Sequence, residues 1–107
     1  MSHGIEEPRP GQRLFPGKVL ITGAATVALE AAGVEGVWLL SRHIHGDWGD
    51  IPPEDVLQNE LALLLGLRVQ SRYGIAEGTA IWITTEANRA TTTIILVEGA
   101  WAASGSG

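Results

Sequence analysis

Residues 43–50 read His-Ile-His-Gly-Asp-Trp-Gly-Asp and form the densest set of chemically able side chains in the sequence. His43, His45, Asp47 and Asp50 offer nitrogen and oxygen donors within eight positions, types that could converge on zinc or another divalent ion. The spacing matches neither a HExxH helix nor an EF-hand loop. The same carboxylates, with Asp55, Glu86 and His45, make a candidate hydrolytic set, because a carboxylate beside an indole such as Trp48 loses hydration and holds its proton more tightly. No nucleophile elbow, phosphate-binding loop or dinucleotide fingerprint accompanies them. Catalysis at His45, Asp47, Asp50, Asp55 and Glu86, and metal binding at His43, His45 and Asp47, therefore stand behind a structural reading. In that reading the two glycines supply positive φ, Asp47 and Asp50 accept backbone N–H bonds, and Trp48 plugs the core. No cofactor is expected.

Other residues are candidates for binding. Asn59 follows Asp55 by four positions, so the two share a helix face that can meet this loop, with Asn59 as a strut for loop backbone groups. Arg89 can clamp a carboxylate or phosphate. It can also close an ion pair with Glu86 or with an acid of residues 47–60, and this structural pairing is favoured. Trp48 and Trp82 mark a pocket between the loop and a strand, where a small ligand would sit.

Net charge is −5, from 12 acids and 7 bases, and it is unevenly placed. Residues 43–67 contain no Lys or Arg but hold Asp47, Asp50, Glu54, Asp55 and Glu60, which leaves seven acids against seven bases elsewhere. A field of that sign repels phosphate backbones and attracts a basic protein surface. Direct nucleic-acid binding is not expected.

The elements that must position these groups follow from local signals. Residues 1–12, rich in Glu and Pro, read as a mobile arm, residues 13–100 as one domain, and residues 101–107 as a flexible tail. Residues 18–21 form a short strand. Thr22 caps a helix through residue 32 that ends at Gly33. A second helix over 35–43 is apolar on most sides. A third starts at Pro53, carries Glu54 and Asp55 in its first turn and stops at Gly66, with Leu57, Leu61, Leu64 and Leu65 as its apolar stripe. Strands follow at about 67–73, 79–85 and 91–97, joined by turns, the second at Glu86–Arg89 with Asn88 tolerating left-handed geometry. Short connections make these three an antiparallel meander. The fold class is α+β: a small antiparallel sheet, the C-terminal meander plus the N-terminal strand, covered by about three helices. Trp38, Trp48 and Trp82 can occupy its core.

In the order of its motifs the chain resembles a group of short bacterial proteins carried by plasmids and other mobile elements. They are generally labelled hypothetical or plasmid-related, and some restriction-system subunits. The matching residues are His45 to Asp50, Glu54-Asp55, Asn59, Gly66, Arg68, Ser71, Tyr73, Trp82-Ile83, Thr85-Glu86-Ala87, Arg89, Thr92 and Thr93, spread over residues 14–98. Asn88 stands where the group more often has Asp, and Glu98-Gly99-Ala100-Trp101 replaces an acidic-aromatic close. The resemblance implies a mobile-gene origin and no particular reaction.

Absence of cysteine excludes a disulfide framework, a thiolate metal site and a cysteine nucleophile. No apolar run reaches the ~18 residues of a membrane span. The expectation is a cytoplasmic mobile-element accessory protein that binds a macromolecule through an acidic face, the partner a host defence or nucleic-acid-handling protein. Trp101 and open strand edges add the expectation of a homodimer. A metal-assisted hydrolase at the loop and a small-ligand module are the alternatives.

Overall fold

A computed structural model describes residues 11–98. The expected arm, apart from its last two residues, and the expected tail with Trp101 lie outside that range. The element order is β1 (Lys18–Ile21), α1 (Gly23–Ala32), α2 (Gly36–Ile44), α3 (Pro53–Leu65), β2 (Val69–Ala76), β3 (Thr79–Thr85) and β4 (Thr91–Glu98). The strands form one open sheet in the order β1-β4-β3-β2. β2, β3 and β4 are the expected meander, with Ile83 opposite both Ser71 and Ile94. The sheet is mixed, because β1 joins β4 in parallel, Lys18 opposite Thr91 and Ile21 opposite Ile94. A parallel neighbour needs a long crossover; here the crossover comprises the three helices, β2 and β3.

Local chemistry sets the helix ends. Thr22 is extended at φ −77° and ψ 157°, and its hydroxyl accepts from the Ala25 N–H at 3.2 Å. Gly33 closes α1 at φ 70° and Gly66 closes α3 at φ 70°. Proline at the first position of α3 gives up only an N–H that a helix leaves unpaired.

Strand alternation sends Val69, Ser71, Tyr73, Ile81, Ile83, Thr85, Thr92 and Ile94 towards the helices. Ala25 and Leu29 of α1 and Leu39 of α2 complete one apolar cluster with Tyr73, Ile81, Ile83 and Ile94. A second cluster lies under α3 and joins Leu14, Trp48, Ala62 and Val69.

Two expectations about packing are corrected. Trp38 is 66% exposed rather than in the core, because α2 buries Leu39 and His43, one turn apart, and position 38 points away from that face. The leucine stripe of α3 faces solvent: Leu57, Leu61, Leu64 and Leu65 are 48–81% exposed. The buried face of α3 carries Asn59 and Ala62 instead, flanked by Val56 and Leu63. Helical spacing identifies a stripe without saying which side meets the core, and α3 lies along β2 at the sheet's margin.

Candidate functional site

The His-Gly-Asp-Trp-Gly-Asp segment runs from the end of α2 to the free edge of β2. The chain leaves α2 by a tight wrap: the N–H groups of His45, Gly46 and Asp47 donate to carbonyls of residues 41–43, and Gly46 sits at φ 85°. It then lies alongside β2. The Arg72 N–H donates to the Trp48 carbonyl at 3.1 Å, and the Asp50 N–H donates to the Arg72 carbonyl at 2.7 Å. Gly49 pairs with Arg72 as an isolated parallel bridge. One Asp50 carboxylate oxygen accepts from the Gly74 N–H at 2.9 Å. Four residues away on the same edge, the Asn59 amide donates to the Gln70 carbonyl at 2.8 Å and accepts from the Gln70 N–H at 3.2 Å. Asn59 is therefore a strut, as expected, but for a strand edge rather than for the loop. Gln70 and Arg72 thus have both edge-facing groups, and Gly74 its N–H, paired by a loop and a helix.

Each side chain of the segment has a structural partner. Arg42 Nε donates to Asp47 Oδ2 at 2.8 Å, and the Gly49 N–H donates to Asp47 Oδ1 at 3.3 Å. The guanidinium beside it holds the Asp47 carboxyl below its usual range. Trp48 is buried and packs edge-on against His43 at 5.9 Å between ring centroids. Its indole N–H donates to Glu60 Oε2 at 3.0 Å. Arg13, 47 residues away, grips the same carboxylate with both terminal nitrogens at 2.6 and 3.0 Å. Glu60 is held low by Arg13 first and by Trp48 second. His45 Nδ1 donates to the Ser41 carbonyl at 2.7 Å. The Tyr73 hydroxyl donates to the Asp47 carbonyl at 2.6 Å, and burial pushes that phenol up to about 12.

His43 is fully buried inside a chain of hydroxyls. The Thr92 hydroxyl donates to the Pro16 carbonyl at 2.7 Å, so Thr92 accepts from Thr85, 2.6 Å away. Thr85 then accepts from His43 Nε2 at 2.9 Å, which leaves His43 Nδ1 to accept from Ser71 at 2.6 Å. Both ring nitrogens are occupied, and Ser71 and His43 are closed to solvent. The pair has the contact of a nucleophile and its base without access for a substrate. Desolvation first, and the Arg89 charge second, lower the His43 imidazole to about 4.

The remaining candidates lie apart. Glu86 is exposed at the β3–β4 turn. Arg89 does not close the favoured ion pair: its guanidinium donates to the carbonyls of Leu67 at 2.7 Å, Glu86 at 3.1 Å and Ala62 at 3.3 Å. It caps the end of α3 and ties two turns together. Arg89, not Asn88, takes the left-handed backbone, at φ 59°. Asp55 and Trp82 line a cleft of about 160 Å³ with Ile51, Gln58, Arg68 and Gln70. Trp48, the other expected wall of a pocket at Trp82, does not line this cleft, and the loop reaches it only through Ile51. Among the described residues no three His, Asp or Glu side chains are grouped as metal donors. The shifted carboxylates, Asp47 and Glu60, move towards ionisation, the opposite of what a general acid needs. Sequence reasoning missed Arg13, Glu60 and the His43 hydroxyl chain; the polar residues Ser71, Thr85 and Thr92 at inward strand positions were the available signal.

Two outcomes follow. A Cβ on Gly49, at φ 79°, would overlap the Arg72 carbonyl oxygen and come within 2.7 Å of the Tyr73 ring. Gly49→Ala should cost at least about 3 kcal/mol in urea unfolding, and a loss under 1 kcal/mol would show that the loop does not seal the edge. His43 titrates lower in the folded chain than in the unfolded one, near 6.5. The unfolded chain binds the extra proton between these values, so stability is full above about pH 6.5 and falls as pH drops to about 4. The shift amounts to about 3 kcal/mol, and this pH-dependent loss should be absent in His43→Gln.

Comparison with family models, with curated proteins and with solved structures found no match.

Proposed function

We propose that the chain is a macromolecule-binding module that acts by association, taking an extended segment of a partner protein on the open edge of β1. One contrast carries this reading: the β2 edge is sealed, and among the described residues nothing pairs with the outer edge of β1. The Lys18 N–H donates to the Ala90 carbonyl at 2.9 Å and the Thr22 N–H to the Ile94 carbonyl at 3.1 Å. Alternation then turns the N–H and C=O groups of Val19 and Ile21 outward. Val19, Leu20 and Ile21 are each 40–46% exposed. Unpaired backbone groups among apolar side chains are what a strand-forming segment matches, by main-chain hydrogen bonds and alternate side-chain contacts.

Engagement of the loop carboxylates within the fold supports association over hydrolysis. Asp47 and Glu60 hold arginines of the same chain, while Glu54 and Asp55 remain exposed at the start of α3 as an acidic corner that favours a basic partner. No helix among the described residues is long and apolar enough to cross a membrane. The resemblance to mobile-element proteins fits a cytoplasmic accessory that modulates a host defence or nucleic-acid-handling protein. A second reading, a small polar ligand on Trp82, draws on the cleft beside Asp55 and Arg68, whose 160 Å³ is close to the space of one aromatic ring.

The test is selection of displayed peptides on the chain, with Val19→Pro as comparison. Proline removes the outward N–H and leaves the inward ladder to β4 intact. Selected peptides should alternate apolar residues and bind Val19→Pro at least tenfold more weakly, with the circular dichroism spectrum unchanged. An empty selection, or equal binding to both proteins, contradicts the reading.

A further inference from the structure

On the helix side of the sheet, the free edge of β1 adjoins a pocket of about 430 Å³ whose lining includes Ile21, Leu29, Glu30, Val34, Glu35 and Gly36. Ile21 ends β1, Leu29 and Glu30 belong to α1, Val34 and Glu35 lead out of α1, and Gly36 begins α2. The floor is apolar: Leu29 is buried, and Val34 packs against the same cluster. Gly36 leaves the space open. A Cβ there would meet Leu29 Cδ1 at 3.4 Å and Ile21 Cδ1 at 4.0 Å. The rim is acidic. Glu30 and Glu35 are exposed, neither side chain has a hydrogen-bond or ion-pair partner among the described residues, and no Lys or Arg lines the pocket. Val19 and Ile21 stand opposite Thr92 and Ile94, which are buried on the helix face, so their side chains turn to that face as well. In an antiparallel segment added to β1, the residue opposite Ile21 points the same way, with its Cβ about 5 Å from that of Ile21. Its side chain therefore enters the pocket mouth. A long aliphatic stem would lie on Ile21, Leu29 and Val34, and a cationic head would reach Glu30 and Glu35. An acidic side chain would add a third carboxylate to the rim, which selects against it.

We infer that the pocket between β1, α1 and α2 takes one lysine or arginine side chain of the segment that adds to β1, and so sets which segments the edge accepts. This assignment rests on strand addition at β1 and supplies the chemistry of the partner. The segment alternates apolar residues and carries one long cation opposite Ile21.

Peptide display on the full chain, and on the chain carrying both Glu30→Lys and Glu35→Lys, tests this. Peptides selected by the unaltered chain should hold Lys or Arg at one fixed position, and those selected by the double variant should hold Asp or Glu there. Both positions are exposed, and circular dichroism checks that the fold is kept. The tightest peptide is then synthesised with norleucine for its basic residue, which keeps an aliphatic stem and removes the charge. That change should weaken binding to the unaltered chain about tenfold, and binding to the chain with Glu30→Gln and Glu35→Gln less than about twofold. Peptides that lose affinity for Val19→Pro but hold no basic position overturn the pocket assignment and leave strand addition standing. A norleucine effect equal on both proteins does the same. An empty selection, or equal binding to Val19→Pro, overturns both.

Discussion

An edge strand carries backbone donors and acceptors that must find partners, and the pairing of the β2 edge organises this protein. Every second residue of β2 turns its N–H and C=O away from β3, and a buried group left unpaired costs about 1–3 kcal/mol. The loop between α2 and α3 supplies Trp48 and Asp50 for Arg72, the Asp50 carboxylate for Gly74, and the first turns of α3 supply Asn59 for Gln70. That demand explains the composition of the loop. Gly49 must let its backbone approach the Arg72 carbonyl, Asp50 must reach one residue further, and Trp48 must anchor the segment beneath α3. A segment whose acids and histidines look like reagents is an edge cover.

The cover in turn fixes the layer beneath it. Trp48 meets His43 on one side and Glu60 on the other, and Glu60 brings Arg13 across from the start of the described chain. His43 continues through Ser71, Thr85 and Thr92 to the Pro16 carbonyl, so one polar thread crosses β2, β3 and β4 within an apolar core. Such a thread tolerates few alternative packings, because a shift of β2 by one residue puts Gln70 or Arg72 in the place of Ser71 and breaks the line. With the interior so committed, the groups free to meet other molecules are those the cover does not reach: the β1 edge, the leucine face of α3 and the cleft at Trp82.

Local features were legible in the sequence and long-range ones were not. The Thr22 and Pro53 helix starts, the Gly33 and Gly66 stops and the meander follow from neighbouring residues, and each stands where expected. The leucines of α3 were readable as a stripe, but spacing is the same for a face turned to the core and one turned to solvent. Asn59 was readable as a strut, yet its target, a strand edge 11 residues on, depends on how α3 docks. Arg13 and Glu60 meet across 47 residues, and no local rule selects that pair from the other acids. Arg89 invited an ion-pair reading because acids are plentiful nearby. The fold brings carbonyls closer, since a helix ends beside its turn and leaves them unpaired.

The two edges of the sheet are unequal, and native-state amide hydrogen exchange measures that inequality directly. The amides of Gln70, Arg72 and Gly74 should exchange slowly, at rates near those of β3, while those of Val19 and Ile21 exchange as freely as a surface loop. Rapid exchange at Arg72 and Gly74, or protection of Val19 and Ile21 matching theirs in the isolated chain, would contradict it.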